Sequence, residues 1–141
     1  MPDFEHSRSP LVVAFVGVVR QNWPDMLTYA SLAPDGSLQI AIPSPCHEGD
    51  RLTIIADPDF DEVSIGFGFA HSHGGRWDEE AAADHGFASS IRLIHDVLEE
   101  RVVSCKYAGY GRLGRLEQLR ALEDWGSVTA VRSWRGSHDR G

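Results

Sequence analysis

Short segments with apolar residues at alternate positions dominate residues 26–71, and they limit the chain to a fold that contains a β-sheet. In the clearest segment, 62–71, every second residue from Val63 to Phe69 is bulky and apolar, while the residues between them are small. The same pattern predicts three further strands, at 26–32, 38–42 and 51–56. Because Pro-Asp-Gly lies in the connection 33–37, the first two of these are expected to form a β-hairpin.

Two helices are predicted from spacing and end signals. Within 84–101, apolar residues recur every three or four positions and form one stripe, which is typical of a helix lying on a sheet. Ser9-Pro10 is typical of a helix start, because serine caps free N–H groups and proline fits the first turn. Residues 10–22 are therefore assigned to a helix ending before Pro24, although their valines also favour a strand.

The last third of the chain returns to strands. We predict strands at 102–107 and 128–134, with the Gly-rich stretch 108–114 turning the chain after the first. Residues 115–125 fit either a strand or a short helix, and their leucines at intervals of three favour the helix. Strands, one well-marked helix and strands again indicate an α+β domain. It should have a largely antiparallel sheet, the 84–101 helix on one face and an additional N-terminal helix.

The length of 141 residues is that of a single domain, in which residues 1–9 and 136–141 are expected to fray. The two cysteines, Cys46 and Cys105, make neither a disulfide framework nor a zinc-ribbon spacing. We therefore expect both thiols to be reduced in a cytoplasmic protein.

The longest apolar run, 11–19, has nine residues, whereas a membrane-spanning helix needs about 20. Acidic Asp3 and Glu5 precede the run, Arg8 is the only basic residue before it, and no small-residue cleavage site follows. We predict neither a membrane helix nor a signal peptide.

Charge is distributed unevenly along a chain of net charge −8. Residues 1–100 carry 17 acidic and 5 basic side chains, whereas residues 101–141 carry 4 acidic and 8 basic ones. The acidic part argues against general nucleic-acid binding, because neutralising phosphates requires a basic surface. It suits a partner with a positive surface, since opposite potentials speed association.

His71-Ser72-His73 is the strongest local pattern for chemistry. At a strand end the two imidazoles point the same way, and with a carboxylate such as Asp84 they can hold zinc with water as the fourth ligand. The spacing resembles the ligand pattern of the JAMM (MPN-type) zinc isopeptidases. A zinc-dependent hydrolase that uses His71, His73 and Asp84 is therefore the alternative hypothesis.

Three departures from the JAMM pattern count against that alternative. Ala81 stands where the family has serine, and Gly74 stands where it has proline after the second histidine. No glutamate occupies a suitable upstream position, because Glu48 is too close and Glu5 too far. That glutamate is the general base that takes the proton from zinc-bound water, so catalysis by this route would lack its base.

Other catalytic and cofactor motifs are incomplete. The chain has no Gly-x-Ser-x-Gly elbow and no P-loop. Residues 109–114 fit Gly-x-Gly-x-x-Gly by letter, but no clear helix follows them and the expected acidic residue is missing. We predict no cofactor and no catalytic residues.

Two segments together show a family resemblance. The segment 63–73 ends in His-Ser-His and runs through an acidic loop into a helix, and residues 131–140 read Val-Arg-Ser-Trp-Arg-Gly-Ser-His-Asp-Arg. Both resemble small bacterial immunity proteins encoded beside polymorphic toxins of the Rhs and contact-dependent kind. The order of elements is similar over residues 24–140. One departure is Gly74, where that group often has an aromatic residue.

The resemblance implies a cytoplasmic toxin inhibitor in interbacterial competition, one that occludes a single cognate toxin domain and contacts neither nucleic acid nor membrane. Binding residues tend to lie in loops at strand ends. The partner-binding candidates there are His71, His73, Trp77, Asp78, Asp59, Asp61 and Glu62. Trp134 and Arg135 either contact the partner as well or hold the C-terminus against the sheet.

Overall fold

The computed structural model of the chain describes residues 9–76 and 87–141, and it confirms the predicted α+β class with antiparallel sheets. In chain order the elements are α1 (Pro10–Asn22), a 3-10 helix (Pro24–Tyr29), β1 (Ala30–Leu32), β2 (Leu38–Pro43), β3 (Arg51–Asp57), β4 (Glu62–Phe67), β5 (Ala70–Arg76), α2 (Ala88–Leu98), β6 (Val102–Lys106), β7 (Gly111–Arg115), α3 (Leu116–Arg120), a second 3-10 helix (Glu123–Trp125) and β8 (Ala130–Arg132).

Strands β1 to β5 form one antiparallel sheet in which each strand pairs with the next along the chain. The register places Ile54 opposite both Ile40 and Ile65, so bulky side chains align on one face of the sheet. That face is buried, with α1 against β3 and α2 against β4 and β5. The opposite face carries Thr53 and Ser64, is partly exposed to solvent, and is called the open face below.

The first helix begins as predicted. The hydroxyl of Ser9 accepts a hydrogen bond from the backbone N–H of Val12 at 3.2 Å, and Pro10 occupies the first turn. One side of α1 is fully buried, and there Phe15 meets Phe87 edge-on with 5.2 Å between ring centroids. The prediction of a helix over 10–22 is confirmed.

The second helix is shorter than the predicted span 84–101. The structure places α2 at Ala88–Leu98, and residues 84–86 lie outside the described part of the chain. The helix ends because Glu100 adopts a left-handed φ of 60°, while Arg101 N–H donates to the carbonyl of Asp96 at 2.8 Å. No helix of the described residues has the length and apolar character needed to cross a membrane.

The prediction of one strand over 62–71 is wrong. β4 ends at Phe67, Gly68 takes φ 60°, and the chain reverses so that β5 begins at Ala70. Glycine adopts this left-handed conformation without steric cost, so one of the small residues of the alternating segment creates a turn. As a result His71-Ser72-His73 does not leave the sheet as a loop, but forms part of its edge strand.

The strand predicted at 26–32 is reduced to Ala30–Leu32. Residues 24–29 form a 3-10 helix in which the neighbouring residues Met26 and Leu27 are both buried. Adjacent residues of a strand point to opposite faces, so a strand on a one-sided sheet would have exposed one of them. The hairpin of β1 and β2 forms as predicted, with Leu32 opposite Leu38.

A second antiparallel sheet contains β7, β6 and β8 in that order. The Gly-rich stretch 108–114, predicted as a turn, turns only between Tyr107 and Tyr110, whose N–H and carbonyl lie 2.8 Å apart. Gly111–Arg115 then pair with β6 as β7. Gly111 has no room for a side chain, because a Cβ there would overlap the carbonyl oxygen of Phe69.

The remaining C-terminal predictions are partly correct. Within 115–125, Arg115 ends β7 while 116–120 form α3 and 123–125 a 3-10 helix, so the helical alternative is confirmed from 116 onward. The strand predicted at 128–134 shortens to Ala130–Arg132. Leu116 and Leu119 of α3 pack on β6 in a small second core.

Residues 136–141, which we expected to fray, are hydrogen-bonded to the body of the chain. Val131 and Arg140 exchange both backbone hydrogen bonds, at 2.9 and 3.0 Å. The backbone N–H of Ser133 donates to Oδ1 of Asp139 at 2.9 Å. These contacts fold the C-terminus into a compact turn beside β8.

Candidate functional site

His71 and His73 lie side by side on the open face of the five-stranded sheet. β5 is an edge strand there, with His71 opposite Gly66 and His73 opposite Ser64. The two imidazole rings meet edge-on with 5.3 Å between centroids, and both residues are exposed. The prediction that they point the same way is confirmed.

Glu62 joins this pair from the neighbouring strand. Its Oε1 lies 2.7 Å from Nδ1 of His73, and the hydroxyl of Ser64 lies 3.2 Å from the same nitrogen. Both contacts are made by the same ring nitrogen, so Glu62 and Ser64 fix the orientation of the His73 imidazole. Three of the predicted residues, Glu62, His71 and His73, therefore form one polar row across β4 and β5.

The turn between β3 and β4 carries Asp59 and Asp61. The carboxylate of Asp57 accepts a hydrogen bond from Asp59 N–H at 2.9 Å and shapes the turn, while Asp61 takes a left-handed φ of 50°. The side chains of Asp59 and Asp61 are exposed, and Glu62 begins β4 directly after them. The predicted acidic residues thus lie at one end of β4, next to the polar row.

Phe60 is a candidate contact residue that the sequence analysis did not select. It lies between Asp59 and Asp61 and is 66% exposed, the most exposed of the large hydrophobic residues in the described part of the chain. The sequence feature that could have identified it is a single aromatic residue within an acidic turn, a position at which no sheet face needs an apolar side chain. Exposed aromatic side chains surrounded by polar groups are common interface residues.

A second acidic turn lies next to the first. Asp35, in the β1–β2 turn, and Asp59 and Asp61 line a shallow depression of about 590 Å³ beside the start of α1. Hydrogen bonds from the hydroxyl and backbone N–H of Ser37 hold the pKa of Asp35 below its ordinary value, so this carboxylate stays charged. No Lys or Arg is among the described residues that line the depression. Asp35, Asp59, Phe60 and Asp61 together are called the acidic tip.

Three predicted residues, Trp77, Asp78 and Asp84, lie outside the described residues. The zinc hypothesis needs Asp84, so the structure brings together only two of its three ligands, His71 and His73. Within 9–76 and 87–141, no group of three or more His, Cys, Asp and Glu side chains is arranged to hold a metal ion.

Trp134 and Arg135 contact the body of the chain. The Trp134 ring packs edge-on against Phe67 with 5.7 Å between centroids, and the residue is 8% exposed. The backbone N–H of Arg135 donates to Glu100 Oε2 at 3.2 Å. These contacts fit the second of the two predicted alternatives, in which Trp134 and Arg135 hold the C-terminus against the body of the chain.

No protein-family model, curated protein or solved structure matches this chain. Its function is therefore inferred from its own residues and their arrangement.

Proposed function

We propose that this chain is an immunity-type protein that binds a cognate bacterial toxin domain in the cytoplasm and blocks it by occlusion, with the acidic tip as the main contact. The exposure of Phe60 is the observation that carries this proposal. A phenyl ring held in water at the end of a hairpin loses hydration when a partner covers it, and that burial favours binding.

Charge defines the kind of surface that would cover Phe60. Asp59 and Asp61 flank the ring, and Asp35 lies across the depression, so a complementary surface is basic. A nuclease domain presents such a surface, because it must bind phosphates. Occupying that surface would both attract the inhibitor and exclude the substrate.

The polar row extends the contact beyond the tip. Stable complexes bury about 800 Å² on each partner, which is more than one turn supplies. Glu62 follows the tip directly, and its carboxylate reaches His73 on the edge strand. We include these residues and His71 in the proposed interface, as contacts around the exposed phenyl ring.

The family resemblance supports the same role. The His71-Ser72-His73 sequence, now placed within β5, and the C-terminal Arg-Ser-Trp-Arg-Gly-Ser-His-Asp segment are the sequence features in which the chain resembles immunity proteins of polymorphic toxins. Such proteins act by binding, and the proposed role accordingly involves no catalytic step, metal or cofactor.

The test is rescue of a susceptible bacterium. A candidate toxin domain, taken from a polymorphic-toxin protein encoded next to an immunity protein of this kind, is expressed with the chain and without it. We expect toxicity without the chain, and growth together with co-purification at a fixed ratio in its presence. Failure of the unaltered chain to rescue and to co-purify would overturn the immunity role.

Matched variants then test the acidic tip. The tip variant combines Asp59→Lys with Phe60→Ala, and its control combines Glu48→Lys with Leu122→Ala. All four positions are exposed, and the two variants change charge and apolar area in the same way. We expect the tip variant to lose rescue and the control to keep it. Full rescue by the tip variant would mean that the toxin binds elsewhere.

A further inference from the structure

A second exposed aromatic surface lies at the opposite end of β4 from the acidic tip. β4 runs from Glu62 beside the tip to Phe67, where the Gly68 turn follows, and a strand of this length spans about 20 Å. At the far end, Phe69 of this turn lies near the β6–β7 turn. The surface, called the aromatic pole, consists of Phe69, Lys106, Tyr107, Tyr110 and Arg132.

The rings of the aromatic pole lie at the surface, with Tyr110 exposed and Phe69 and Tyr107 partly exposed. Tyr107 and Tyr110 stack with 5.0 Å between centroids and 13° between planes, and Tyr110 is 62% exposed. A depression of about 360 Å³ lies between this stack and Phe69. Two aromatic walls around a shallow space suit another flat apolar side chain.

The charges of the aromatic pole are positive. Lys106 Nζ lies 5.8 Å and the Arg132 guanidinium carbon 5.4 Å from the centroid of the Phe69 ring. Neither forms an ion pair with a carboxylate of the described residues, and no described carboxylate lines the depression. In a chain of net charge −8, the described residues of this end thus carry positive charge that no described carboxylate pairs with, although Arg132 Nη1 also donates to the carbonyls of Val131 and Arg140 at 3.1 and 3.4 Å.

We propose that the acidic tip of one copy of this chain docks onto the aromatic pole of a second copy. The tip offers an exposed phenyl ring flanked by carboxylates, and the pole offers stacked rings flanked by cations. Phe60 enters the depression beside Tyr107 and Tyr110, while Asp59 and Asp61 approach Lys106 and Arg132. Opposite charges around an apolar centre favour this arrangement over tip-to-tip or pole-to-pole contact.

The two surfaces are different and lie at opposite ends, so the contact is head to tail. Each docking leaves one tip and one pole free, and association continues by adding copies instead of closing as a symmetric dimer. The contact involves a few turns and buries less than about 1,200 Å², which is typical of weak, reversible association. This inference does not depend on the toxin-binding proposal, although the two would compete for the tip.

Sedimentation velocity of the full chain tests the self-association. We expect the average sedimentation coefficient to rise between about 10 µM and about 1 mM protein, the range of weak association. It should fall when salt is raised to about 1 M, since screening weakens exposed charge pairs. A monomer throughout this range would overturn the proposal.

Mixing two variants distinguishes head-to-tail docking from other association. The tip variant, Asp59→Lys with Phe60→Ala, keeps its pole, and a pole variant, Lys106→Glu with Tyr110→Ala, keeps its tip. Each alone should stay monomeric, and an equimolar mixture should form a heterodimer and nothing larger. Self-association of either variant alone, or a mixture that remains monomeric, would contradict the proposed contact.

Controls and milder variants keep the result interpretable. Glu48→Lys with Leu122→Ala, and Arg92→Glu, change exposed residues outside both surfaces and should associate like the unaltered chain. If a double variant fails to fold, Phe60→Ala alone should still weaken the association at least about tenfold. Bacterial rescue is measured separately, so loss of self-association with full rescue, or the reverse, separates the two proposals.

Discussion

Glu100 is bound by Ser137, 37 residues later in the chain, through both the backbone and the hydroxyl of the serine. The hydroxyl donates to Oε1 at 2.8 Å and the backbone N–H to Oε2 at 3.3 Å. Glu100 is 7% exposed and also accepts the backbone N–H of Arg135. One carboxylate at the end of α2 therefore fastens the C-terminal turn to the body of the protein.

The same turn contains residues 131–140, one of the two segments on which the proposed immunity role rests. Trp134 packs on Phe67, Asp139 accepts the backbone N–H of Ser133, and its other oxygen lies 2.6 Å from Nε2 of His47. These are structural contacts. Residues 131–140 therefore hold the C-terminus, and under the proposed function partner specificity would come from other surfaces.

Glu100→Gln should destabilise the fold by about 1–3 kcal/mol, because hydrogen bonds to a buried charged acceptor are lost or weakened. The change is measured as the free energy of unfolding in urea. Glu99→Gln, at the exposed neighbouring position, is the matched control and should be nearly neutral. Equal effects of the two substitutions would show that the Glu100 carboxylate does not fasten the turn.

Acid should weaken the fold through the same group. Burial opposes ionisation of Glu100, but hydrogen bonds from Ser133, Ser137 and the backbone of Arg135 outweigh it and hold its pKa below the ordinary value. The stability that the ionised Glu100 carboxylate adds to the fold is therefore complete above its unfolded-state pKa of about 4.3. It is lost as the pH falls through the lower folded-state pKa. Unfolding free energies from pH 7 to about pH 3 should fall less steeply in Glu100→Gln than in the unaltered chain. Identical pH dependence would contradict this explanation.

Gly111→Ala should destabilise the chain by about 1–3 kcal/mol, because overpacking forces the backbone to shift. A Cβ at this position overlaps the carbonyl oxygen of Phe69, where the turn after β4 contacts β7. Gly109→Ala is the control, since nothing lies within 4 Å of a Cβ there. The melting temperatures of the two variants are compared by thermal unfolding. Equal melting temperatures would mean that β7 and the turn at Phe69 accommodate the added Cβ without loss of stability.

Phe60→Ala should leave the free energy of unfolding within about 0.5 kcal/mol of the original, as exposed substitutions do. Toxin binding, in contrast, should weaken by at least about tenfold if the ring is an interface residue. Calorimetric titration of the purified toxin domain measures the affinity, with Leu122→Ala as the exposed apolar control. If Phe60→Ala unfolded the chain, the role of Phe60 would be structural and not in binding.

Replacing His71 and His73 together with alanine should likewise change stability little. The Glu62–His73 pair is partly exposed, with 59% of the His73 side chain accessible, and such pairs contribute less than about 1 kcal/mol. Affinity for the toxin should fall, because the polar row belongs to the proposed interface. Unfolding and binding are measured on the same preparation. A large loss of stability would show that the polar row stabilises the sheet.

Local chemistry predicted the elements whose signals lie within a few residues. Ser9 and Pro10 started α1 where expected, and alternation at 38–42 and 51–56 placed β2 and β3. Alternation alone could not reveal the turn at Gly68, because small residues suit both a closely packed strand and a left-handed turn. Nor could helical spacing near residue 101 predict the left-handed conformation of Glu100, which accompanies the turn beside Ser137.

The sequence by itself determined the fold class, the segments of the first sheet and the acidity of residues 57–61, since these depend on hydrophobic period, turn residues and charge. Only the tertiary structure decided that His71 and His73 lie on a sheet face beside Glu62 and that Phe60 remains in water. It also placed the tip and the pole at opposite ends of β4. Contacts between distant residues depend on how the strands pair and on which side chains the core can accommodate, and no local pattern encodes that.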